Sequence, residues 1–251
     1  MKSLILCAII VGLVLFGTSV RALDSNGLVL LLPFDEGAGD TAGDLSGMGN
    51  DGAIKGAEWV NGKIGSALNF ESGDYVEVPH SDSLSITDKI TVMAWTYMNV
   101  GSSGEMAIVS KGTWAANDLP YELTEDAGGV IFWQFYDNAG RDTCSPNSPA
   151  AGEWHHITGT YDGEVFKCYI DGQLGEEWGY AGAMPENNAS VTIGKRSKAN
   201  DTFFTGMIDE VAIFNRALTA EEIQEAMSGI KPLAVEPMDK CACTWGSIKE
   251  Q

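Results

Sequence analysis

The sequence predicts an all-β fold, a sandwich or jelly roll of antiparallel strands, with one short helix near the C-terminal end. Three observations favour this fold class: many short strand-like segments, Asp-Gly, Asn-Gly or Gly-rich breaks between most of them, and no helices alternating with the strands. A parallel α/β sheet needs a helical crossover between successive strands, whereas regularly spaced short strands with turn signals are typical of sandwiches.

Residues 1–22 have the features of a secretory signal peptide. Met1 and Lys2 form a short basic start, residues 4–16 are an almost unbroken apolar run, and Val20 and Ala22 place small residues before a cut after Ala22. The apolar run is too short to span a bilayer, and no later run is long enough. We therefore expect a soluble, exported mature chain with no integral membrane segment.

The charge of the chain excludes two classes of partner. The sequence contains 35 acidic and 15 basic residues, with a formal net charge of −20 at pH 7. Such a surface repels nucleic acid and anionic lipid, so we expect neither as a partner. It is compatible with bound divalent cations, although acidic surfaces are also common in proteins that are merely soluble.

The predicted strands follow one another along the chain from residue 27 to residue 195. They cover residues 27–34, 66–70, 74–79, 89–98, 105–111, 130–137, 154–162, 165–171 and 190–195. A loop rich in glycine, asparagine and aspartate occupies residues 44–52. This order and spacing predict hairpins rather than crossovers.

Side-chain alternation divides two of these strands into opposite faces. In 89–98, one face carries Ile90, Val92, Ala94 and Thr96, and the other carries Thr91, Met93, Trp95 and Tyr97. In 130–137, Ile131, Trp133 and Phe135 lie opposite Phe132, Gln134 and Tyr136. Aromatic residues directed away from the core would form stacking platforms, and covering loops would give the same pattern.

One helix is predicted near the end of the domain. Thr219 followed by Glu222 is the capping-box arrangement, and Ile223 and Met227 share a face that can dock on the sandwich. The helix is expected to end near Gly229. Residues 233–251 change character, because prolines interrupt them, and we interpret them as an extended tail outside the domain.

Three segments resemble a known family. Residues 31–98 are similar to the front half of a laminin-G-like jelly-roll domain of the concanavalin A-like lectin/glucanase superfamily, 153–174 to its central hairpin, and 205–224 to its closing strand and helix. The resemblance implies an antiparallel two-sheet jelly-roll sandwich over residues 23–232. It also implies that His155 and His156 are successive strand residues on opposite faces, which cannot hold one metal together.

The resemblance further implies a structural calcium ion where an early loop meets the last strand. Asp44 and Asn50 would be joined there by Asp209, with Asp35 nearby, because Ca²⁺ requires about six to eight oxygen ligands. The alternative is that Asp44 makes an Asx turn within its own loop and Asp209 caps a turn. Both interpretations stay open at this point.

Catalysis is not expected. The family's hydrolases carry a strand of the Glu-x-Asp-x-x-Glu type, and this sequence has no match to it. A retaining glycosidase needs two carboxyl groups about 5–5.5 Å apart. The acids Asp162 and Glu164 are two residues apart but flank an Asp-Gly turn, and Glu122 and Asp126 are separated by Thr124. No catalytic residue is predicted.

The cysteines that follow the signal segment are Cys144, Cys168, Cys241 and Cys243. In an exported chain an even number suggests disulfides, with three possible pairings for four cysteines. We expect a bridge between Cys144 and Cys168. The alternative is that Cys168 is a buried thiol, because by resemblance it stands at a core position of the hairpin.

These observations favour a secreted or cell-surface binding or adhesion module that recognises a glycan or an extracellular protein. Trp95, Tyr97 and Trp133 are the candidates for stacking on a sugar ring. A glycoside hydrolase of the same superfamily and a purely structural surface protein are the alternatives. Fold alone does not choose among them.

Overall fold

Two antiparallel sheets of eight strands each make up most of the structure. The computed structural model describes residues 23, 25–115, 117–126, 130–137, 141–144, 149–198 and 202–231, and for residues 141–144 it describes the backbone alone. The predicted signal segment, residues 1–22, and the predicted tail, residues 233–251, lie outside the described residues. The all-β, two-sheet architecture with one short helix is confirmed.

Sheet A contains the two long strands predicted at residues 89–98 and 154–162, which lie side by side. Its strands are β1 (Leu28–Leu32), β4 (Glu58–Asn61), β5 (Ser66–Phe70), β7 (Ile90–Met98), β12 (Trp154–Tyr161), β13 (Val165–Ile170), β14 (Gln173–Gly179) and β16 (Gly206–Phe214). The order across the sheet is β14-β13-β12-β7-β16-β5-β4, and β1 pairs with β16. Numbering throughout follows the chain.

Sheet B contains the remaining strands. They are β2 (Thr41–Ala42), β3 (Gly52–Lys55), β6 (Tyr75–Val78), β8 (Glu105–Lys111), β9 (Leu119–Asp126), β10 (Ile131–Tyr136), β11 (Arg141–Cys144) and β15 (Val191–Ile193). The order is β11-β10-β9-β8-β15-β6-β3-β2. A single turn of 3₁₀ helix, Asp82–Leu84, precedes β7.

The main core lies between the two sheets and follows the predicted alternation. Ile90, Val92 and Ala94 of β7 face this core, as do Trp133 and Phe135 of β10. The opposite face of β10 is therefore the outer face of sheet B. The two faces predicted for residues 89–98 and 130–137 are confirmed.

A second, smaller core covers the outer face of sheet A. The helix α1 (Ala220–Ala226) packs Ile223 and Ala226 against this face, where Met93 is also buried. Thr219 and Glu222 form the predicted capping box, with the Glu222 amide donating to Thr219 Oγ1 and the Thr219 amide donating to Glu222 Oε2. Ala226, rather than the half-buried Met227, is the second buried residue of the helix.

The histidine-bearing segment forms the expected hairpin. β12 pairs with β13 through a turn at Asp162, whose Oδ1 accepts hydrogen bonds from the amides of Glu164 and Val165 at 3.0 and 2.8 Å. In the next turn, Asp171 adopts a left-handed φ of 51° and its carboxylate accepts a hydrogen bond from the His156 amide. Asp171 also bonds His155 Nδ1 at 2.8 Å, which fixes that ring.

Two further predictions concern the membrane and the disulfide. In the part of the chain that the structure describes, no helix has the length and apolar character needed to cross a bilayer. Cys168 is completely buried in the main core. The side chain of Cys144 lies outside the described part of the structure, so the bridge between the two stays a prediction.

Candidate functional site

A row of polar side chains crosses the outer face of sheet B. Gln134 is paired with Glu122, Glu122 with Ser110, Ser110 with Thr192, and Thr192 with Glu77. Directly paired residues of an antiparallel sheet point to the same side. Because their neighbours along each strand face the core, this row faces away from it. A polar row across an outer face is a starting point for a binding site.

Glu122 is the second residue of this row and is fully buried. Its Oε1 accepts hydrogen bonds from Gln134 Nε2 at 2.7 Å and from Arg196 Nη2 at 2.8 Å. Its Oε2 accepts from Ser110 Oγ and from Arg196 Nε, both at 2.8 Å. A carboxylate offers about four acceptor positions, so Glu122 is saturated.

Arg196 links two carboxylates at this face. It is 5% exposed, and besides its two bonds to Glu122 its Nη2 lies 3.2 Å from Glu105 Oε2. Desolvation would raise the pKa of Glu122, but the hydrogen bonds and charge of Arg196 outweigh it and hold that pKa below its usual value. Desolvation likewise opposes the charge of Arg196, and Glu122 and Glu105 restore it, raising the pKa. Glu122 and Arg196 are therefore both ionised at neutral pH.

Trp114 lies over this ion-pair network. The Arg196 Cζ atom is 4.6 Å from the centroid of the Trp114 ring, within the range of a cation–π contact. Trp114 is nevertheless 41% exposed, which makes it a large aromatic surface open to solvent. The site thus combines an exposed ring with a buried, charged support.

The loops that carry Trp114 and Arg196 are tied to each other. The Lys198 amide donates to the Gly112 carbonyl at 3.2 Å, and Lys198 Nζ bonds Asp118 Oδ1 at 2.6 Å. Within the Trp114 loop, the Thr113 amide donates to the Asp118 carbonyl at 2.7 Å. The relative position of ring and guanidinium is therefore set by backbone as well as side-chain bonds.

Gln134 leaves one buried hydrogen-bonding atom unused. Its side chain is fully buried, and Nε2 donates to Glu122, whereas Oε1 accepts no hydrogen bond from any described residue. A buried acceptor without a donor costs free energy and calls for an explanation.

The predicted stacking residue Trp133 belongs to the core, which corrects its assignment as a ligand platform. It is fully buried, and its Nε1 donates to the Thr160 carbonyl at 3.1 Å. Its ring lies flat against Gly159, so closely that a Cβ at that position would overlap ring atoms. No face of this ring is left for a sugar.

Trp95 and Tyr97 lie on the outer face of sheet A, on the opposite side of the sandwich from the polar row. Trp95 is 6% exposed, with Lys63 Nζ 4.3 Å from its ring centroid and Nε1 donating to the Met227 carbonyl at 3.2 Å. Tyr97 is half-buried and packs edge-to-face against Trp154. The structure brings these two predicted residues together, but away from Trp133.

Asp44 has the structural role within its own loop that was the alternative to a calcium ligand, and Asn50 is bonded beside it. Asp44 Oδ1 accepts from the amides of Leu31 and Ser46, and Oδ2 accepts from Ser46 Oγ and the Asn50 amide. The Asn50 side chain donates to Val29 and Ser83 and accepts from Ser81. The Asp44 carboxylate therefore has no oxygen lone pair to spare for a cation, whereas Asn50 Oδ1, which accepts one hydrogen bond, keeps one.

Asp209 and Asp35 lie together at a separate place, beside Glu210. Asp209 is fully buried at an irregularity of β16, and it accepts hydrogen bonds from the amides of Ile64 and Glu210. Burial raises the pKa of Asp209 to about 7, and Asp35 adds to the rise. Within the described ranges, no group of three or more His, Cys, Asp or Glu residues is placed to hold a metal ion. Asp35, Asp44 and Asp209 therefore form no such group in the described part of the chain, and calcium binding itself stays a prediction.

Sequence reasoning missed the role of Arg196 and of Gln134. Gln134 is an outward-facing polar residue between aromatic neighbours, and that pattern was a usable signal. Arg196 had none, because it reaches Glu122 from 74 residues away in the chain. Trp114 was visible only as a tryptophan in a polar, glycine-containing segment.

Several solved structures share this fold. Domain 4 of a GH43 extracellular arabinanase from Geobacillus stearothermophilus, in complex with arabinotriose, is 19% identical over 79% of this chain and 97% of its own, with a TM-score of 0.62. The binding domain of Paraclostridial Mosquitocidal Protein 1 is 19% identical over 80% of this chain and 51% of its own, with a TM-score of 0.63. At these identities the likeness shows the fold alone.

The Trypanosoma rangeli sialidase is also similar, at 19% identity over 82% of this chain, with a TM-score of 0.62. The chain spans about half of the mosquitocidal-protein chain and only 33% of the sialidase chain. No curated protein sequence matches.

A laminin G sequence model of the concanavalin A-like lectin/glucanases superfamily matches residues 70–224, more than half of the chain. The chain therefore belongs to the concanavalin A-like lectin/glucanases superfamily.

Proposed function

We propose that the protein is a secreted or cell-surface binding module that recognises a glycan through the outer face of sheet B. The observation that carries the proposal is the exposed ring of Trp114, supported from below by Arg196 at 4.6 Å. Sugars stack the apolar faces of their rings on aromatic side chains and are oriented by a few polar groups. Glu105, whose side chain is 26% exposed, is a polar group of this network that a ligand can reach.

Pre-organisation supports the same proposal. The bonds from Arg196 to Glu122 hold the guanidinium, and through it the indole, before any ligand arrives. A site that does not have to order its side chains keeps more of its interaction energy as affinity. The arabinanase domain with arabinotriose bound has the same fold, and binding domains recur among the similar structures.

We propose a binding function rather than glycoside hydrolysis. A glycosidase needs one carboxyl group that attacks and one that transfers a proton. Glu122 and Glu105 are the two carboxylates of this network, but Glu122 is buried with all of its acceptor positions occupied. It has no free lone pair with which to attack a sugar or take up a proton.

The test is a glycan-array screen of the mature domain together with two tryptophan variants. Trp114→Ala removes the proposed platform, and Trp178→Ala, on the exposed edge strand β14, removes a similarly exposed ring elsewhere. We expect binding that is lost in the first variant and kept in the second. A blank array with folded protein would instead favour an extracellular protein ligand or a structural role.

A further inference from the structure

We infer that the outer face of sheet B selects uncharged sugars and rejects those that carry a carboxylate or a sulfate. This inference rests on the proposed function, since it specifies the ligand class of the same site. An arginine beneath an exposed tryptophan would at first suggest an anionic ligand. The partners of Arg196 argue against this.

The charge of Arg196 is already more than balanced. Glu122 meets it through two hydrogen bonds of 2.8 Å, and Glu105 lies 3.2 Å from Nη2. One positive and two negative groups give the network a net charge of −1. The whole chain, this network included, carries a formal net charge of −20, so an incoming anion meets repulsion both at the site and at long range.

The neighbouring cations do not reverse this balance. Lys198 Nζ bonds Asp118 Oδ1 at 2.6 Å, and Lys195 Nζ lies 3.9 Å from the centroid of the Tyr75 ring. Both residues flank Arg196 in sequence, yet each is engaged with a group outside the Glu122 network. An anionic sugar would have to compete with Asp118 for Lys198. It would gain nothing from Lys195, which stays over the Tyr75 ring.

The hydrogen-bonding capacity left at the site is mixed, and this suits a hydroxyl group. Glu105 presents carboxylate oxygens with a side chain that is 26% exposed, whereas Gln134 Oε1, which lacks a donor, is buried out of reach. Arg196 Nη1 has no acceptor among the residues that the structure places, so it remains a donor. A sugar hydroxyl both donates and accepts, whereas a carboxylate or sulfate only accepts.

Glu105 is the residue that enforces the selection. Glu122 is fully buried, and all of its acceptor positions are occupied by hydrogen bonds. Its charge therefore acts on Arg196 rather than on a ligand. Glu105 is the partly exposed member of the pair, and a carboxylate brought near it would repel it strongly at an effective dielectric constant of about 20. Removing its charge without changing its shape should therefore relax the selection.

The experiment uses matched oligosaccharide pairs, each a neutral hexose chain beside the same chain with a uronate or a 6-sulfate at one ring. We expect the protein to bind the neutral member of each pair at least about tenfold more tightly than the acidic member. Trp114→Ala should abolish this binding. Glu105→Gln should reduce the ratio of the two affinities. Glu177→Gln, an equal charge change on exposed β14, should leave the ratio unchanged.

The two hypotheses fail in different ways. Acidic members that bind as tightly as neutral ones, through a site that Trp114→Ala abolishes, would overturn the inference and leave the proposed function standing. A blank array, or binding that persists in Trp114→Ala, would overturn the proposed function and the inference with it. An unchanged ratio in Glu105→Gln would overturn the role given to Glu105.

Discussion

The guanidinium of Arg196 meets the fully buried carboxylate of Glu122 side-on, with Nε and Nη2 each 2.8 Å from a different oxygen. The contact joins the turn after β15 to the middle of sheet B. A buried ion pair of this kind contributes little net stability, because both charges lose their water. It does select one arrangement of the two segments, and with it the position of Trp114.

Replacing Arg196 alone should destabilise the fold strongly. Arg196→Met leaves the Glu122 charge buried without its partner, which costs about 3–5 kcal/mol in the free energy of unfolding. Urea denaturation at pH 7 measures this. The double variant Arg196→Met/Glu122→Met removes both charges and should recover much of the loss.

The control is the ion pair of Arg216 and Glu222, whose side chains are each 24% exposed. Arg216→Met should cost much less, about 1 kcal/mol, because the remaining charge is solvated. Equal losses for the two arginine variants would mean that burial does not determine the strength of these pairs.

Stability should fall as the pH rises from about 4.5 to 7. Burial raises the pKa of Glu125 from 4.5 to about 7, so in this window the folded chain binds more protons than the unfolded chain. Burial raises the pKa of Asp209 and Glu210 to about 7 as well. His156 opposes them, because burial lowers its pKa to about 4 and its contribution is lost as pH falls below 6.5.

Glu125→Gln tests this assignment directly. The amide keeps the shape of the side chain and removes its titration, so the unfolding free energy should depend less on pH between 4.5 and 7. Above pH 7 the variant should be more stable than the parent, by up to about 3 kcal/mol. Glu58→Gln, on exposed β4, is the control, and pH profiles identical for all three proteins would contradict the expectation.

Asp44→Ala should destabilise the protein equally with calcium and with chelator. Four donors lose their acceptor in this variant, at a cost of about 2–4 kcal/mol. Asp40→Ala, an exposed acid near the same loop, should have little effect. A melting temperature that calcium raises in the parent but not in Asp44→Ala would instead support the calcium site implied by the family resemblance.

The sequence predicted those features that depend on neighbouring residues better than those that depend on residues distant in the chain. Alternation assigned Ile90 and Met93 to opposite faces because it depends only on neighbouring residues. The same rule grouped Trp133 with Ile131 but could not say which face was inside, since that depends on packing against the other sheet. The role of Asp44 depends on an amide from Leu31, and that of Glu122 on Arg196. Leu31 and Arg196 are both distant in sequence from the residues they bond, so no local pattern predicts these contacts.

Gly159→Ala should destabilise the core beneath Trp133. Gly159 lies in the middle of β12, and an added Cβ would overlap the Trp133 ring, which is fully buried and held by its bond to Thr160. Overpacking of this kind costs about 1–3 kcal/mol. Gly179→Ala, in exposed β14, is the matched control, because its Cβ would meet no atom within 4 Å. Denaturant titrations of both variants, followed by tryptophan fluorescence, measure the difference, and equal stability would mean that the Trp133 ring can move aside without cost.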